Sequence, residues 1–264
     1  MAEEQSTPSL TELSADTHAN LKMDVAGAVK VASKQHMINL KMSEISMAIS
    51  SFPVFMTRAP EASNWNISAI NSYELDDNLF VDNDTWNGTH VPIGMQTFPF
   101  FLMRSPKDEK TFTIGINEQS SVFSKDEGEA LFQDGKASAR LSQATAQLEL
   151  EVKHEIQTHQ FTKKVEELEL IRPIDLQVHY LNGRVNTLKG LNTVNELTLH
   201  ELEGEKLLEL RKEGFLLPLY SMITSVYQFN NLIKLHNIKF PDNKIGQVKV
   251  ETPKEEGDDT QANA

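Results

Sequence analysis

Histidine and carboxylate side chains are the groups in this sequence that could hold a metal ion. The eight histidines are scattered along the chain. Glu155 and His159 are four residues apart in a segment with helical periodicity, so they share one helix face and could contact the same ion. A facial triad would need a second histidine and a carboxylate from elsewhere in the fold. We predict a solvated pair here, and we assign no metal, no cofactor and no catalytic residue.

The acidic segment 82–88 has a composition similar to that of a calcium-binding loop. Its spacing does not fit, because Trp86 occupies the position of the third ligand and Gly88 comes one residue late. Asp, Asn and Gly dominate turns, and we therefore predict a polar β-turn. The sequence also has no GxSxG, GxGxxG or GxxxxGK[ST] motif, so nothing in it favours a serine nucleophile or a phosphate-binding loop.

The segment 90–101 is rich in phenylalanine, and it also contains two prolines and a glycine, which restrict or shape the backbone. One interpretation is a core strand, because buried aromatic side chains usually belong to the core. The alternative is an aromatic-lined groove that holds an extended peptide, with Trp86, His90 and Gln96 as polar anchors beside Phe98 and Phe100. Both interpretations stay open at the level of the sequence, and these five residues are the candidate binding groove.

Composition excludes several classes of protein. The 264 residues include 38 acidic and 25 basic side chains, which give a net charge of −13 and disfavour nucleic acid as a partner. The absence of cysteine excludes disulfides, thiolate metal sites and a cysteine nucleophile. No apolar run approaches the ~18–20 residues of a membrane span, and the N-terminus lacks the features of a secretory signal. We therefore expect a cytoplasmic protein, with signal-less export to the cell surface as the alternative.

The pattern of secondary structure predicts an α+β fold. Short, mostly antiparallel strands are expected in the first half, at 52–57, 78–81, 97–103 and 110–116, with a short helix at 43–50. The second half predicts one long amphipathic helix from about 137 to 170. A β-hairpin around Asn182-Gly183 and a C-terminal helical pair at 201–213 and 216–236 follow it.

These elements are predicted to form one domain over residues 21–250. The strands of the first half have no partner layer without the helices of the second half. Residues 1–20 are expected to be a flexible lead-in, and residues 251–264 a disordered acidic tail. The sequence leaves the oligomeric state open.

Several segments together resemble the SapC family of bacterial proteins. The resemblance covers about residues 30 to 237. It departs from the family where Phe52, His90 and Phe98 replace a usual tyrosine and where Gln96 replaces a usual arginine. The matching stretches are 52–55 (FPVF), 78–82 (NLFVD), 90–92 (HVP), 98–100 (FPF), 129–135 (EALFQDG), 214–216 (GFL) and 220–225 (YSMITS).

The resemblance implies a fold more than a reaction. The family is associated with a bacterial surface layer, and the resemblance brings no catalytic residues with it. The leading hypothesis is an accessory or binding protein that acts with a protein or peptide partner and has no intrinsic catalysis. The alternatives are a metal-dependent enzyme, oxygenase-like or peptide-modifying, that uses side chains such as Glu155 and His159, and a structural surface-layer component.

Overall fold

The structure is a computed structural model, and it describes residues 10–59, 62–108 and 110–253. Its helices are α1 (Ala15–His18), α2 (Gly27–Ala32), α3 (Ile45–Ala48), α4 (Ile93–Thr97), α5 (Ala139–Glu167), α6 (Glu196–His200), α7 (Gly204–Lys212), α8 (Leu216–Ser225), α9 (Phe229–Lys239) and the 3-10 helices Met42–Glu44 and Val226–Gln228. Its strands are β1 (Thr11–Glu12), β2 (Lys22–Met23), β3 (Met37–Leu40), β4 (Val54–Thr57), β5 (Asn66–Ile70), β6 (Val81–Asp82), β7 (Thr85–Trp86), β8 (Phe100–Arg104), β9 (Phe112–Ile116), β10 (Phe123–Ser124), β11 (Glu129–Ala130), β12 (Phe132–Gln133), β13 (Lys136–Ala137), β14 (Ile171–Tyr180), β15 (Val185–Val194) and β16 (Ile245–Glu251).

The largest sheet has six antiparallel strands in the order β16-β14-β15-β4-β5-β3. The predicted hairpin forms its second and third strands, β14 and β15. The turn between them contains Gly183 with a φ of +89°, a conformation that glycine adopts without steric cost. The α+β class and the antiparallel pairing are confirmed.

Two hydrophobic cores lie along the long helix α5. The first core joins the six-stranded sheet to α8, α9 and the C-terminal half of α5, and it contains the fully buried Phe55, Phe161 and Leu219. The second core joins the N-terminal half of α5 to the small sheet β1-β9-β8, with Phe100 and Leu148 inside it. One helix therefore contributes to both cores.

The predicted long helix is confirmed as the 29-residue α5. The Ser138 side chain caps it by accepting a hydrogen bond from the Leu141 amide.

The predicted helix at 216–236 is instead divided into α8 and α9 by a 3-10 turn. Leu210 and Leu219 of the C-terminal helices are fully buried within the molecule. None of the helices in the described ranges combines the length and apolar character needed to cross a membrane.

One predicted strand differs from the structure near the small sheet. The predicted strand 97–103 begins only at Phe100, because Thr97 is the last residue of α4. Within the predicted lead-in, residues 11–12 form β1 and residues 15–18 form α1. β1 pairs with β9, and the buried ring of His18 lies 2.8 Å from Glu118.

The remaining parts of the predicted tails lie outside the described residues, at 1–9 and 254–264. Within the predicted tail, Glu251 is the last residue of β16, which pairs with β14. The six-stranded sheet therefore extends one residue beyond the predicted domain boundary at 250.

Candidate binding site

The short helix α4 is held at its start by a buried carboxylate. Glu44 has no exposed surface, and its Oε2 accepts a hydrogen bond from the backbone amide of Ile93 at 2.9 Å. The ring Nε2 of His90 lies 2.8 Å from the same oxygen. The other oxygen of Glu44 accepts from the Lys41 amide at 2.7 Å. Three donors therefore surround this carboxylate, as burial of a charged group requires.

A pocket lies between α4, the start of β8 and the first turns of α5. We call it the α4–α5 pocket. Two aromatic rings and three glutamine amides contribute to its wall, and Arg140 is the charged residue among those that line it. The lining residues are Gln96, Phe98, Phe100, Arg140, Gln143, Ala144 and Gln147.

Three of the five predicted groove residues meet in this pocket. Phe98 is partly buried at its wall, and Gln96 is exposed and donates a hydrogen bond to the Val91 carbonyl. Phe100 is only 2% exposed and also belongs to the second core. Phe100 fits both interpretations, because it belongs to the second core and to the pocket wall, whereas Gln96 and Phe98 fit the groove.

The other two predicted residues do not line the pocket. Trp86 packs its ring against Phe52 and Phe80, with ring centroids 6.0 Å apart in each case. Its indole nitrogen donates to the His90 carbonyl at 3.0 Å. The ring of His90 contacts Glu44 and not the pocket. Both residues therefore stabilise the segment that precedes α4.

The strand β8 runs away from the pocket as an edge strand. It pairs with β9 on one side, in register from Phe100 opposite Ile116 to Arg104 opposite Phe112. In the described part of the chain no further strand joins its other side. An edge strand presents unpaired backbone donors and acceptors to an incoming chain.

The α5 residues of the pocket were missed by sequence reasoning. Arg140, Gln143 and Gln147 are spaced by three and four residues, so they form one stripe on the helix. The stripe lies next to the buried Leu141 and Leu148. A polar stripe that borders the apolar face of a helix often lines a cleft, and this pattern could have identified the three residues from the sequence.

One turn further along α5, Glu151 is a partly buried acid. Burial raises its pKa above the ordinary value, against the opposing effect of the charge of Lys41. The nearby carboxylates of Glu44 and Glu155 raise it further. This acid lies close to α4 but is not among the residues that line the α4–α5 pocket.

The two places where the sequence suggested a metal ion are the pair Glu155 and His159 and the segment 82–88. Glu155 forms an ion pair with Lys41, while His159 is exposed. No group of three potential metal ligands occurs in the ranges that the structure covers. The segment 82–88 contains a tight turn between β6 and β7, with Asn83 and Asp84 at φ of 48° and 55°, so the predicted polar β-turn is confirmed.

The chain belongs to the SapC family, whose model matches residues 13–232. The match starts before the stretches that carry the resemblance in the sequence, and it includes α1 and the whole α4–α5 pocket. No curated protein and no solved structure matches the chain.

Proposed function

We propose that this SapC family member is a binding protein that holds an extended segment of a protein or peptide partner along β8. The observation that carries the proposal is the position of the α4–α5 pocket at the start of an edge strand. Addition of a peptide strand to an exposed sheet edge is a common mode of recognition, in which backbone hydrogen bonds give affinity and neighbouring pockets give specificity.

The side chains of the pocket suit a peptide. The rings of Phe98 and Phe100 offer apolar surface, and the amides of Gln96, Gln143 and Gln147 can both donate and accept hydrogen bonds. Residues 100–103 of β8 could pair with a partner segment of about four residues, at roughly 3.4 Å per residue. This lining is made of binding groups rather than of the nucleophiles and general bases that bond cleavage uses.

Selection on the immobilised full-length protein, from a phage library that displays random peptides with a free C-terminus, tests the proposal. We expect enriched peptides to compete with one another for one site. The double variant Gln143→Ala/Gln147→Ala should weaken their binding, because it removes two amides from the pocket wall. Gln160→Ala is the matched control, since Gln160 is an exposed glutamine of the same helix outside the pocket.

Methylation of single backbone nitrogens in a selected peptide tests the pairing with β8. In a strand that joins an edge, alternate amides point toward the neighbouring strand. Methylation should therefore abolish binding at alternate positions and leave it nearly unchanged at the positions between. A library without enriched peptides, or a peptide that tolerates methylation at every nitrogen, would refute strand addition along β8.

A further inference from the structure

Arg140 differs in its surroundings from two other arginines of the molecule. Arg58 pairs with Glu166 at 2.9 Å, and Arg184 pairs with Glu74 at 2.7 Å. Arg140 is partly buried in the wall of the α4–α5 pocket, where its guanidinium makes no hydrogen bond or ion pair to any residue the structure covers. In a chain with 38 acidic side chains, this lone positive charge in a cleft needs an explanation.

We infer that Arg140 binds the C-terminal carboxylate of the partner segment, an inference that rests on the proposed function. The planar guanidinium is suited to a carboxylate because it can donate two parallel hydrogen bonds. Gln143 and Gln147 stand on the same stripe of α5 and can donate further hydrogen bonds to an anion.

The direction of β8 supports a chain terminus in this position. The pocket lies at the N-terminal end of the strand, where Phe98 and Phe100 contribute to its wall. A peptide that pairs antiparallel with β8 brings its C-terminal end to this point. A parallel peptide would bring an N-terminal ammonium group toward the guanidinium, which like charges disfavour. Arg140 thus selects both the terminus and the orientation of the bound segment.

The net charge of −13 disfavours the approach of an anion in general. The guanidinium of Arg140 in the α4–α5 pocket offers a carboxylate a favourable local contact. The same chemistry could be supplied by the side chain of an Asp or Glu within a longer partner, so the test must separate a terminal carboxylate from an internal one.

The experiment compares three forms of one selected peptide, each labelled at its N-terminus and measured by fluorescence anisotropy with the full-length protein. The forms are the free acid, the C-terminal amide, and the amide with aspartate as its last residue. We expect the amide to bind at least about tenfold more weakly than the free acid, since a hydrogen bond to a charged group is lost. We expect the aspartate form not to recover the affinity, because its carboxylate is displaced from the chain end.

Variants of Arg140 complete the test. Arg140→Gln should remove the preference for the free acid, so that acid and amide bind with equal affinity, whereas Arg140→Lys should keep part of the preference. Arg172→Gln is the matched control, because Arg172 is exposed and lies outside the pocket. Thermal melts of each variant confirm that it is folded.

The outcomes separate this inference from the proposed function. Peptides that bind along β8 equally well as acid and amide would overturn the inference and leave the binding function standing. A preference that survives Arg140→Gln, or full recovery by the aspartate form, would also overturn it. If the library yields no binding peptide, both fail together.

Discussion

The imidazole of His90 and the carboxylate of Glu44 form a hydrogen bond of 2.8 Å, with Glu44 entirely buried. The same carboxylate accepts the amides of Lys41 and Ile93, so it connects the 3-10 helix at 42–44 to the start of α4. The short α4 leads directly into the α4–α5 pocket. This buried pair is therefore the support on which one wall of the candidate site depends.

Removal of the Glu44 carboxylate should destabilise the protein strongly. Glu44→Ala leaves two backbone amides and the His90 ring without their acceptor, and breaking a buried pair in this way costs about 3–5 kcal/mol. His90→Ala should cost less, about 1.5–3 kcal/mol, because the two amides still satisfy the carboxylate.

Urea unfolding followed by circular dichroism measures both losses, and the exposed His159→Ala serves as the control. Glu44→Ala and His159→Ala with equal free energies of unfolding would contradict the supporting role of Glu44.

Glu151 should make stability depend on pH in the acidic range. Burial raises its pKa in the folded state, so the folded protein favours the protonated acid. The charged groups that face it are Lys41, Glu44 and Glu155. Its contribution to stability is complete below the ordinary pKa of a glutamate, about 4.3, and is lost as the pH rises through the raised value.

Glu151→Gln should therefore raise the melting temperature at pH 7, and the gain should shrink toward pH 4. Differential scanning calorimetry across this range measures it. The exposed neighbour Glu149 provides a control variant, Glu149→Gln, for which we expect little change. A gain that is constant with pH would show that the charge of Glu151 is not its cause.

Local patterns accounted for the long helix and the hairpin, but not for the division of the C-terminal helix. The periodicity of α5 and the Asn182-Gly183 turn are encoded within a few consecutive residues. The 3-10 turn at 226–228 follows directly after Ser225, which contacts a strand that is distant in sequence. The Ser225 hydroxyl accepts a hydrogen bond of 2.9 Å from the Val54 amide of β4. Contacts between residues so far apart leave no trace in a local pattern.

The candidate site was predictable only in part for the same reason. Phe98 and Phe100 are close in sequence, and two prolines and a glycine mark their segment as unusual. Arg140 reaches the pocket from another element, through the packing of Leu141 and Leu148 in the second core. Trp86 does not line the pocket, and the sequence alone does not distinguish an aromatic residue that lines a groove from one that packs elsewhere.

Tyr180 should make stability depend on pH in the alkaline range. Burial, together with its hydrogen bond to Glu74 at 2.8 Å, raises the pKa of Tyr180 to about 12. An unfolded tyrosine ionises near pH 10. The stabilising contribution of the neutral phenol is thus complete below pH 10 and is lost as the pH rises from about 10 to about 12.

Tyr180→Phe should be less stable than the natural chain at pH 8, and the difference should diminish as the pH rises above 10. Urea unfolding at several alkaline pH values measures this convergence. Tyr227→Phe is the control, because Tyr227 is 75% exposed. Parallel curves for Tyr180→Phe and the natural chain would exclude the effect of ionisation.

The continuity of α5 should make the two hydrophobic cores unfold together. Leu148 lies in the second core and Phe161 in the first, on one uninterrupted helix. Leu148→Ala should cost about 2–5 kcal/mol and Phe161→Ala about 3–5 kcal/mol, since each substitution leaves a cavity. Leu150→Ala is the control on the same helix, because Leu150 is 56% exposed.

Two spectroscopic probes distinguish one cooperative unit from two. Tryptophan fluorescence reports on the first core, because Trp65 and Trp86 both pack against it, whereas far-ultraviolet circular dichroism reports on the whole chain. In Leu148→Ala we expect both probes to shift to the same lower urea midpoint, since a single cooperative transition moves every signal together. A fluorescence midpoint that stays in place while the dichroism shifts would show that the cores unfold independently and would refute the prediction of one domain over residues 21–250.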